Sequence, residues 1–524
     1  MSALSATARP SDAGAAVRAR SARAWWPLAA LVALAAALRL PTLAQQSFWY
    51  DEAFSAVHVF HRSLSSTLSA MAHTENSPPL WYLLGWVDVR VLGDGEFALR
   101  LPSALAGIAT VPVAWGIGRE LAGRRAAVIA AALVAVNPLF VWYSQEARVY
   151  ALFVFTSALA MLCFLRALAQ PSRGRMAAFA LSGAVALVTH YFSVFLLAPM
   201  VLWLPYERAT RRAAVGALAA LAVVGGALLP LIIAQGGHGT QWIGKWALGS
   251  RLEAVPQYYL TGYSGAPLGH GIKLLIALPI LAGAALGVLA LSPRERRGAL
   301  IALAVLASGV LAPLVLALAG ADYLAPRNLV AAMIPLTALI AVLLAAATGA
   351  RARPRRAHAA ASLSDSALVA IALTCVTAVA FAAVCVDVSL SPRLQRGNWR
   401  GVARKLRPVG PLTVISTVQL ASAPLEYYVA GLRNLPRGRS VLVSEIDEVG
   451  YAPLRSGAGE PPAPGFRLVQ RVDVDGLIIY RFRARAPRAV SRLALRQAAL
   501  TQARPEVLIH RGARTRASAG AETA

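Results

Sequence analysis

Residues 176–206, MAAFALSGAVALVTHYFSVFLLAPMVLWLPY, form one unbroken apolar run, and how it is divided decides the fold. About 20 helical residues cross a bilayer core, so a run of about 31 is too long for one ordinary span and just long enough for two short ones. Thr189, His190 and Tyr191 lie in its middle and mark the turn. Charge supports the division. Arginine clusters stand at 18–23, 119–125, 166–175, 208–212, 294–297 and 351–356. With two short helices all six fall on one side of the membrane, as the positive-inside bias requires. With one long helix the later clusters would land on the other side.

Working outward, further apolar stretches occur near 24–44, 100–118, 126–143, 147–165, 213–235, 271–291, 299–319, 328–348 and 366–386. With the divided run they make about eleven spans. The sequence therefore predicts an α-helical integral membrane protein, multi-pass in the plasma membrane, with a cytoplasmic N-terminus and an extracytoplasmic C-terminus. The first stretch, behind Arg18, Arg20 and Arg23, resembles a secretory signal, but no clear small-x-small cleavage site precedes SFWYDEAF, so it reads as a retained helix after a cytoplasmic basic tail at 1–23. The composition agrees. The chain of 524 residues is 57% hydrophobic and only 14% charged, with a mean hydropathy of +0.58, far from the roughly 25% charge of soluble proteins. Its net charge of +27 sits in short inter-span clusters and the C-terminal region, with no basic stripe interleaved with aromatics. That pattern is one of membrane topology and excludes nucleic acid as the natural partner. Cys163, Cys375 and Cys385 lie inside apolar runs at no metal-ligand spacing. GxxxxGK[ST], a Rossmann glycine fingerprint, HExxH and GxSxG are all missing, which removes a nucleotide-driven engine.

On this topology the outer segments are 45–99, the turn SQEARVY, the turn at His190, the loop 236–270, the turn ADYLAPRN and everything after about 387. PPLWYLLGWVDVRVLG, at 78–93, is apolar for only about 12 residues and then charged, so it reads as an interfacial helix with Trp81, Tyr82 and Trp86 at headgroup level, or as an amphipathic packing helix. After the last span, NWRGVARKLRP and APLEYYVAGL have helical spacing while LTVIST, VLVSEI and GLIIYRF read as strands. A small extracytoplasmic α/β domain is expected at about 391–485, followed by a disordered Ala/Arg-rich tail at 486–524.

The chemistry-bearing residues gather on those outer segments. Asp51 and Glu52 follow the first span between aromatics; a carboxylate there could take a proton from an acceptor hydroxyl or hold a divalent cation, and partial burial would raise its pKa. A solvated acidic loop start is the plain alternative. Glu75 precedes Pro78 and Pro79, where it either favours the helix start or orients substrate. Glu146, Arg148 and Tyr150 crowd a turn with little room; Arg148 suits a phosphate, whereas pairing with Glu146 or snorkelling would leave it structural. Arg327 is a lone outer arginine and a second phosphate candidate, with snorkelling as its rival, and Arg39 is a weaker one. His190 and Tyr191 either touch substrate or a metal or simply build their turn. Lys245 and Arg251 could draw in an anionic lipid.

SFWYDEAFSA (47–56), ENSPPLWYLLGW (75–86), EFALRLPSALAGIATVPVAWGIGREL (96–121), NPLFVWYSQEARVYAL (137–152) and NWRGVARKLRP (398–408) together resemble the bacterial family 39 type glycosyltransferases, related to protein mannosyltransferases. The resemblance spans most of 24–410 and implies a GT-C fold, with 24–390 as the catalytic transmembrane domain. It implies a sugar donated from a polyprenyl monophosphate rather than a nucleotide. By the same resemblance Asp51 is the catalytic base with Glu52 beside it, Glu75 faces the site, and Arg148 and Arg327 suit the donor phosphate. Many relatives have His-Pro-Pro where this chain has Ser77, Pro78 and Pro79, so no histidine role carries over.

The expected reaction is an inverting hexosyl or pentosyl transfer to a glycan, lipid or protein hydroxyl. No cofactor is certain; a divalent metal on Asp51, Glu52 and Glu75 is compatible but not required. The rival from another class is a transporter or flippase of lipid-linked sugars, which calls for inverted repeats and broken helices at the midplane. An envelope-assembly scaffold would leave the acidic pair unexplained.

Overall fold

The structure, a computed structural model, describes the chain except residues 1–9, 239, 241, 266–267, 350–364, 502–504 and 518–524, and the side chains of 10–24, 264–265, 366 and 517. The arginine cluster at 351–356 and the side chains of 18–23 thus lie outside the described residues. In chain order the helices are α1 (Pro10–Arg39), α2 (Tyr50–Phe54), α3 (Leu64–Thr74), α4 (Leu80–Leu92), α5 (Glu96–Ala122), α6 (Arg124–Val136), α7 (Pro138–Ser144), α8 (Tyr150–Ala169), α9 (Arg173–Leu187) and α10 (Ser193–Tyr206). They continue as α11 (Arg211–Gln235), α12 (Leu248–Gly265), α13 (His270–Ala290), α14 (Pro293–Leu318), α15 (Met333–Gly349), α16 (Asp365–Leu390), α17 (Trp399–Leu406), α18 (Ser422–Tyr428) and α19 (Arg492–Gln497). Two compact units share them.

The first unit comprises Met1–Pro41, Glu75–Trp81 and Arg100–Val386. Among the described residues seven helices are long and apolar enough to cross a membrane, and the bent pair α6–α7 makes an eighth. Of the elements in the expected eleven, the apolar stretch Trp25–Arg39 of α1, α9 and α10 fall short of that length. The decisive run does divide: α9 ends at Leu187 and α10 starts at Ser193. Polar side chains close the carbonyls this break exposes. Thr189 donates to the Val185 carbonyl at 2.6 Å and Ser193 to the Ala186 and His190 carbonyls at 2.9 and 2.6 Å.

A second break explains Arg39. Pro138 lacks an N–H, so α6 cannot continue regularly, and the axis bends by 56° into α7. Three carbonyls are freed. Arg39, fully buried, donates to the carbonyls of Val134 and Ala135 at 3.1 and 2.8 Å, and the Cys385 thiol donates to that of Val136 at 3.3 Å. Asn137 caps α7, its side chain accepting from the Leu139 N–H at 3.0 Å. Arg39 is therefore the closure of a helix break and leaves the list of phosphate candidates.

α15 is the buried centre of the bundle, while α11, α13 and α16 present large apolar side chains outward, such as Val223, Leu289 and Val379. Surface of that kind is solvated by lipid. α13 approaches α15 so closely that a Cβ on Gly287 would stand 2.1 Å from the Leu343 carbonyl oxygen.

The second unit comprises Thr42–Thr74, Tyr82–Leu99 and Asp387–Ala524. Its strands are β1 (Thr413–Thr417), β2 (Leu432–Asn434), β3 (Arg439–Tyr451), β4 (Arg467–Val474), β5 (Leu477–Ser491), β6 (Glu506–His510) and β7 (Thr515–Ala517). They form one sheet in the order β2-β6-β1-β3-β5-β4, with β7 also on β3. β1 and β3 are parallel and every other pairing is antiparallel. β4 and β5 are joined by Asp475 and Gly476, both at positive φ, the two-residue turn that suits strand twist. One face of the sheet packs on α17 and α18 around Trp399, Leu425 and Ile479, and the other gathers Ile446, Phe482, Leu495 and Val507.

Two expectations change here. Within 486–524, expected to be a disordered tail, described residues form regular structure: β5 runs to Ser491, and β6 lies between β2 and β1 with Val507, Leu508 and Ile509 buried. The α/β unit is also larger than 391–485, because it includes 42–74 and 82–99.

Candidate active site

In the second unit, Asp51 and Glu52 occupy the first turn of α2. Glu52 is fully buried and its Oε2 accepts from the Trp49 N–H at 3.3 Å, closing the helix start. Asp51 is half-buried. α2 runs directly into a π-helical turn, Ser55–Val59, a local distortion frequent at functional sites. The Ser55 hydroxyl donates to the Asp51 carbonyl at 3.2 Å.

In the first unit, Arg148 and Glu75 meet fork to fork. Arg148 Nη1 and Nη2 donate to Glu75 Oε1 and Oε2 at 2.9 and 2.8 Å, both residues buried. Two parallel charge-assisted bonds fix Arg148 in position and orientation. The guanidinium also lies 5.9 Å from the Trp81 ring. Arg148 accordingly turns into the bundle, and its forked partner is Glu75, 73 residues upstream, rather than Glu146. Glu146 is buried in the same turn, its carbonyl accepting from the Arg148 N–H at 2.8 Å.

Arg327 opens the 3-10 turn Pro326–Ala332 and is held between aromatic faces: its guanidinium lies 5.9 Å from the Tyr150 ring and 5.0 Å from the Trp242 ring. Tyr150 is buried against Tyr143 at 4.9 Å. His190 stacks on Phe153 at 4.2 Å, lies 6.3 Å from the Tyr150 ring and accepts the Phe192 N–H on Nδ1 at 3.2 Å. Tyr191 donates to Gln235 at 2.8 Å, and Gln235 donates on to the Ser77 carbonyl at 3.2 Å. His190 and Tyr191 thus hold their turn to its neighbours. The first unit brings together Glu75 with Arg148, and Tyr150 with Arg327 and His190; Asp51 and Glu52 belong to the second.

Trp242 and Asp322 carry no signal in the sequence beyond their residue types. Asp322 forms a forked pair with Arg251 at 2.7 and 2.8 Å, and Arg251 also donates to the Leu324 carbonyl at 2.8 Å. Arg251 is buried and clasps α12 to the segment leading to Arg327, so it is not an exposed lure for anionic lipid. The same guanidinium holds the Asp322 carboxyl below its ordinary range. Trp81 and Tyr82 are also corrected: both are buried, at 2% and 1% exposure, instead of lying at headgroup level. The exposed apolar side of α4 consists of Leu84, Val87, Val91 and Leu92.

Among the described residues no three His, Cys, Asp or Glu side chains are gathered to hold a metal ion. Glu75 gives both carboxylate oxygens to Arg148. The set Asp51, Glu52 and Glu75 therefore does not fit a cation site.

Residues 76–233 match the family described as dolichyl-phosphate-mannose-protein mannosyltransferase. The match runs from α4 to α11 and includes Arg148, Tyr150, His190 and Tyr191. ArnT from Cupriavidus metallidurans bound to undecaprenyl phosphate is similar in structure, with 14% identity and a TM-score of 0.50 over 86% of this chain and 97% of that one. The apo form of the same protein gives 14% and 0.50 over 88% and 98%. AglB, the oligosaccharyltransferase of Archaeoglobus fulgidus, gives 12% and 0.48 over 75% and 58%. No curated protein matches the chain by sequence. The likeness to ArnT is one of fold: this is a multi-pass membrane protein with a GT-C type bundle and a small C-terminal sheet domain.

Proposed function

We propose that the chain is a membrane glycosyltransferase that moves a sugar, with inversion, from a polyprenyl monophosphate to an acceptor hydroxyl on the extracytoplasmic face. The observation that carries this reading is the family match over 76–233, the stretch that positions Arg148 and Tyr150. ArnT, whose fold the chain shares, was solved with undecaprenyl phosphate, which supports a polyprenyl phosphate as donor carrier. Asp51 takes the proton from the acceptor hydroxyl, and that oxygen bonds to the anomeric carbon. The bond from this carbon to the phosphate oxygen breaks, and its electron pair leaves with the lipid phosphate. Arg327, spread on two aromatic faces, answers the leaving charge. Arg148, held by Glu75, acts as a fixed donor array. Glu52 holds the backbone of α2 and so the placement of Asp51.

The topology supports an extracytoplasmic site. The clusters at 119–125, 166–175, 208–212 and 294–297 fall at the junctions α5–α6, α8–α9, α10–α11 and α13–α14, every one at the same end of the path. A flippase gains no support from the one bent pair among the described residues, because the carbonyls freed there are closed by Arg39 and Cys385. The test is mass spectrometry of lipid-linked sugars and envelope glycans after gene deletion. A transferase mutant accumulates one donor and loses one glycan, and the wild-type gene but not Asp51→Asn restores the glycan. An unchanged glycan profile with lipid-linked sugar trapped on the cytoplasmic face would overturn the reading in favour of transport.

A further inference from the structure

The stretch carrying the acidic pair is fastened on both sides of Asp51 to residues more than 300 positions away. Ser47 Oγ donates to the Gly397 carbonyl at 2.8 Å and accepts the Trp399 N–H at 3.0 Å. Gln46 Oε1 accepts the Arg396 N–H at 3.0 Å. Arg400 donates to the Ala44 and Gln45 carbonyls at 2.9 and 3.2 Å. Phe48 packs edge-on against Tyr427 at 5.0 Å, and Tyr50 lies 5.6 Å from Trp399. Beyond Asp51, His58 Nε2 stands 3.4 Å from a Glu426 carboxylate oxygen.

One hydroxyl joins three parts of this frame. Tyr428 Oη accepts the Phe48 N–H at 2.7 Å and donates to Glu96 Oε1, also at 2.7 Å. Glu96 in turn faces Arg400 at 3.4 Å. Tyr428 closes α18, whose Leu425 is buried with Trp399 in one face of the sheet. α2 is five residues long, and helices below about 12 residues do not hold themselves in water. The position of Asp51 is thus set by what its flanks are bound to, and all of those partners belong to the C-terminal sheet domain or to Glu96 beside it.

We infer that the C-terminal α/β domain positions the catalytic loop, and that Tyr428 is a positioning residue that sets Asp51 for proton transfer. This rests on the reading of Asp51 as base. A base acts only within hydrogen-bond reach of its proton, and a displacement of about 1 Å lowers rate by up to about 100-fold. Tyr428→Phe removes the shared oxygen while keeping the ring against Tyr427. In the full-length protein it should speed hydrogen exchange in peptides covering 44–58 and leave α8 and α15 unchanged. Transfer is followed in membranes of the deletion strain carrying each variant. The donor is that strain's own lipid-linked sugar extract, and the readout is the glycan that deletion removes. The expected result is a fall of about 10-fold or more in maximal rate at unchanged half-saturating donor. Ser47→Ala should move both readouts in the same direction through an independent contact. Unchanged exchange at 44–58, full transfer by Tyr428→Phe, or a fall expressed only in donor saturation would overturn the inference. Asp51→Asn separates the two failures. If it transfers normally, the base assignment falls and the positioning role with it; if it is inactive while Tyr428→Phe is fully active, the positioning role alone falls.

Discussion

Glu448 offers a stability measurement that needs no substrate. It lies on β3 with Ser416 of β1 and Tyr480 of β5 as its register neighbours. Strand alternation puts it on the face of Ile446, in the apolar cluster with Tyr480 and Phe482. It is 1% exposed, and neither carboxylate oxygen has a hydrogen-bond partner among the described residues. Burial pushes its carboxyl from an ordinary value of 4.5 up to about 8. The unfolded chain releases this proton near pH 4.5, whereas the folded domain keeps it until about 8. The folded state therefore has its full advantage below pH 4.5 and loses it progressively as the pH rises to about 8. The difference corresponds to at most about 5 kcal/mol, and to about 3 kcal/mol once the site relaxes. Glu448→Gln keeps the shape and removes the titration. At pH 5 variant and wild type should melt within about 2 °C of each other, and at pH 8 the variant should melt about 10 °C higher, since 1 kcal/mol moves Tm by about 3 °C in a domain of this size. The assay is temperature-dependent hydrogen exchange of β3 and β5 amides in the full-length protein in nanodiscs. A gap between the two proteins that stays constant from pH 5 to pH 8 would refute the argument.

Three other outcomes are expected. Arg148→Ala should lower the yield of folded protein, because it leaves the Glu75 carboxylate buried without its fork, a loss of about 3–5 kcal/mol; Arg148→Met with Glu75→Gln should recover folding, as read by monodisperse yield, but not transfer. The Arg251–Asp322 clasp should fail in acid: its depressed carboxyl contributes stability above the ordinary aspartate range and loses it as pH falls through the lower folded value, so limited proteolysis of the 236–270 loop should accelerate at low pH in wild type and already be fast at neutral pH in Asp322→Asn. Reporter fusions after residues 360 and 400 should report opposite sides of the membrane, and matching reports would remove the topology built on the turn at His190.

Much of the fold is legible because membrane spans are counted by length. A run of about 31 apolar residues admits few divisions, and a Thr-His-Tyr step at its centre selects one. The strands β1, β3 and β5 are legible for a related reason: LTVIST, VLVSEI and GLIIYRF are runs of β-branched and apolar residues with few competing patterns. β6 is not. Its three buried residues, Val507, Leu508 and Ile509, are too short a run to stand out from the Arg/Ala-rich sequence around them, and only the neighbouring strands β1 and β2 make a place for them.

The site is less legible because lipid and protein interior look alike to an apolar side chain. Trp81 could face headgroups or pack against the bundle with the same local sequence, and the structure packs it. An arginine at a span end is equally ambiguous. Arg39, Arg148 and Arg251 each carry the charge that suits an anionic ligand, yet all three are held by built partners: carbonyls freed by Pro138, the Glu75 carboxylate and the Asp322 carboxylate. Each partner is distant in sequence, so spacing holds no trace of it. Arg327 lies against the rings of Tyr150 and Trp242, which are likewise distant in sequence. Aromatic faces orient the planar guanidinium at this position. Arg327→Lys tests whether that stacking matters to donor use. The lysine keeps the charge but loses the planar stacking, so donor use should fall by about 10-fold with folding intact. Donor use equal to wild type would show that charge alone suffices at this position and that the aromatic pair serves another purpose.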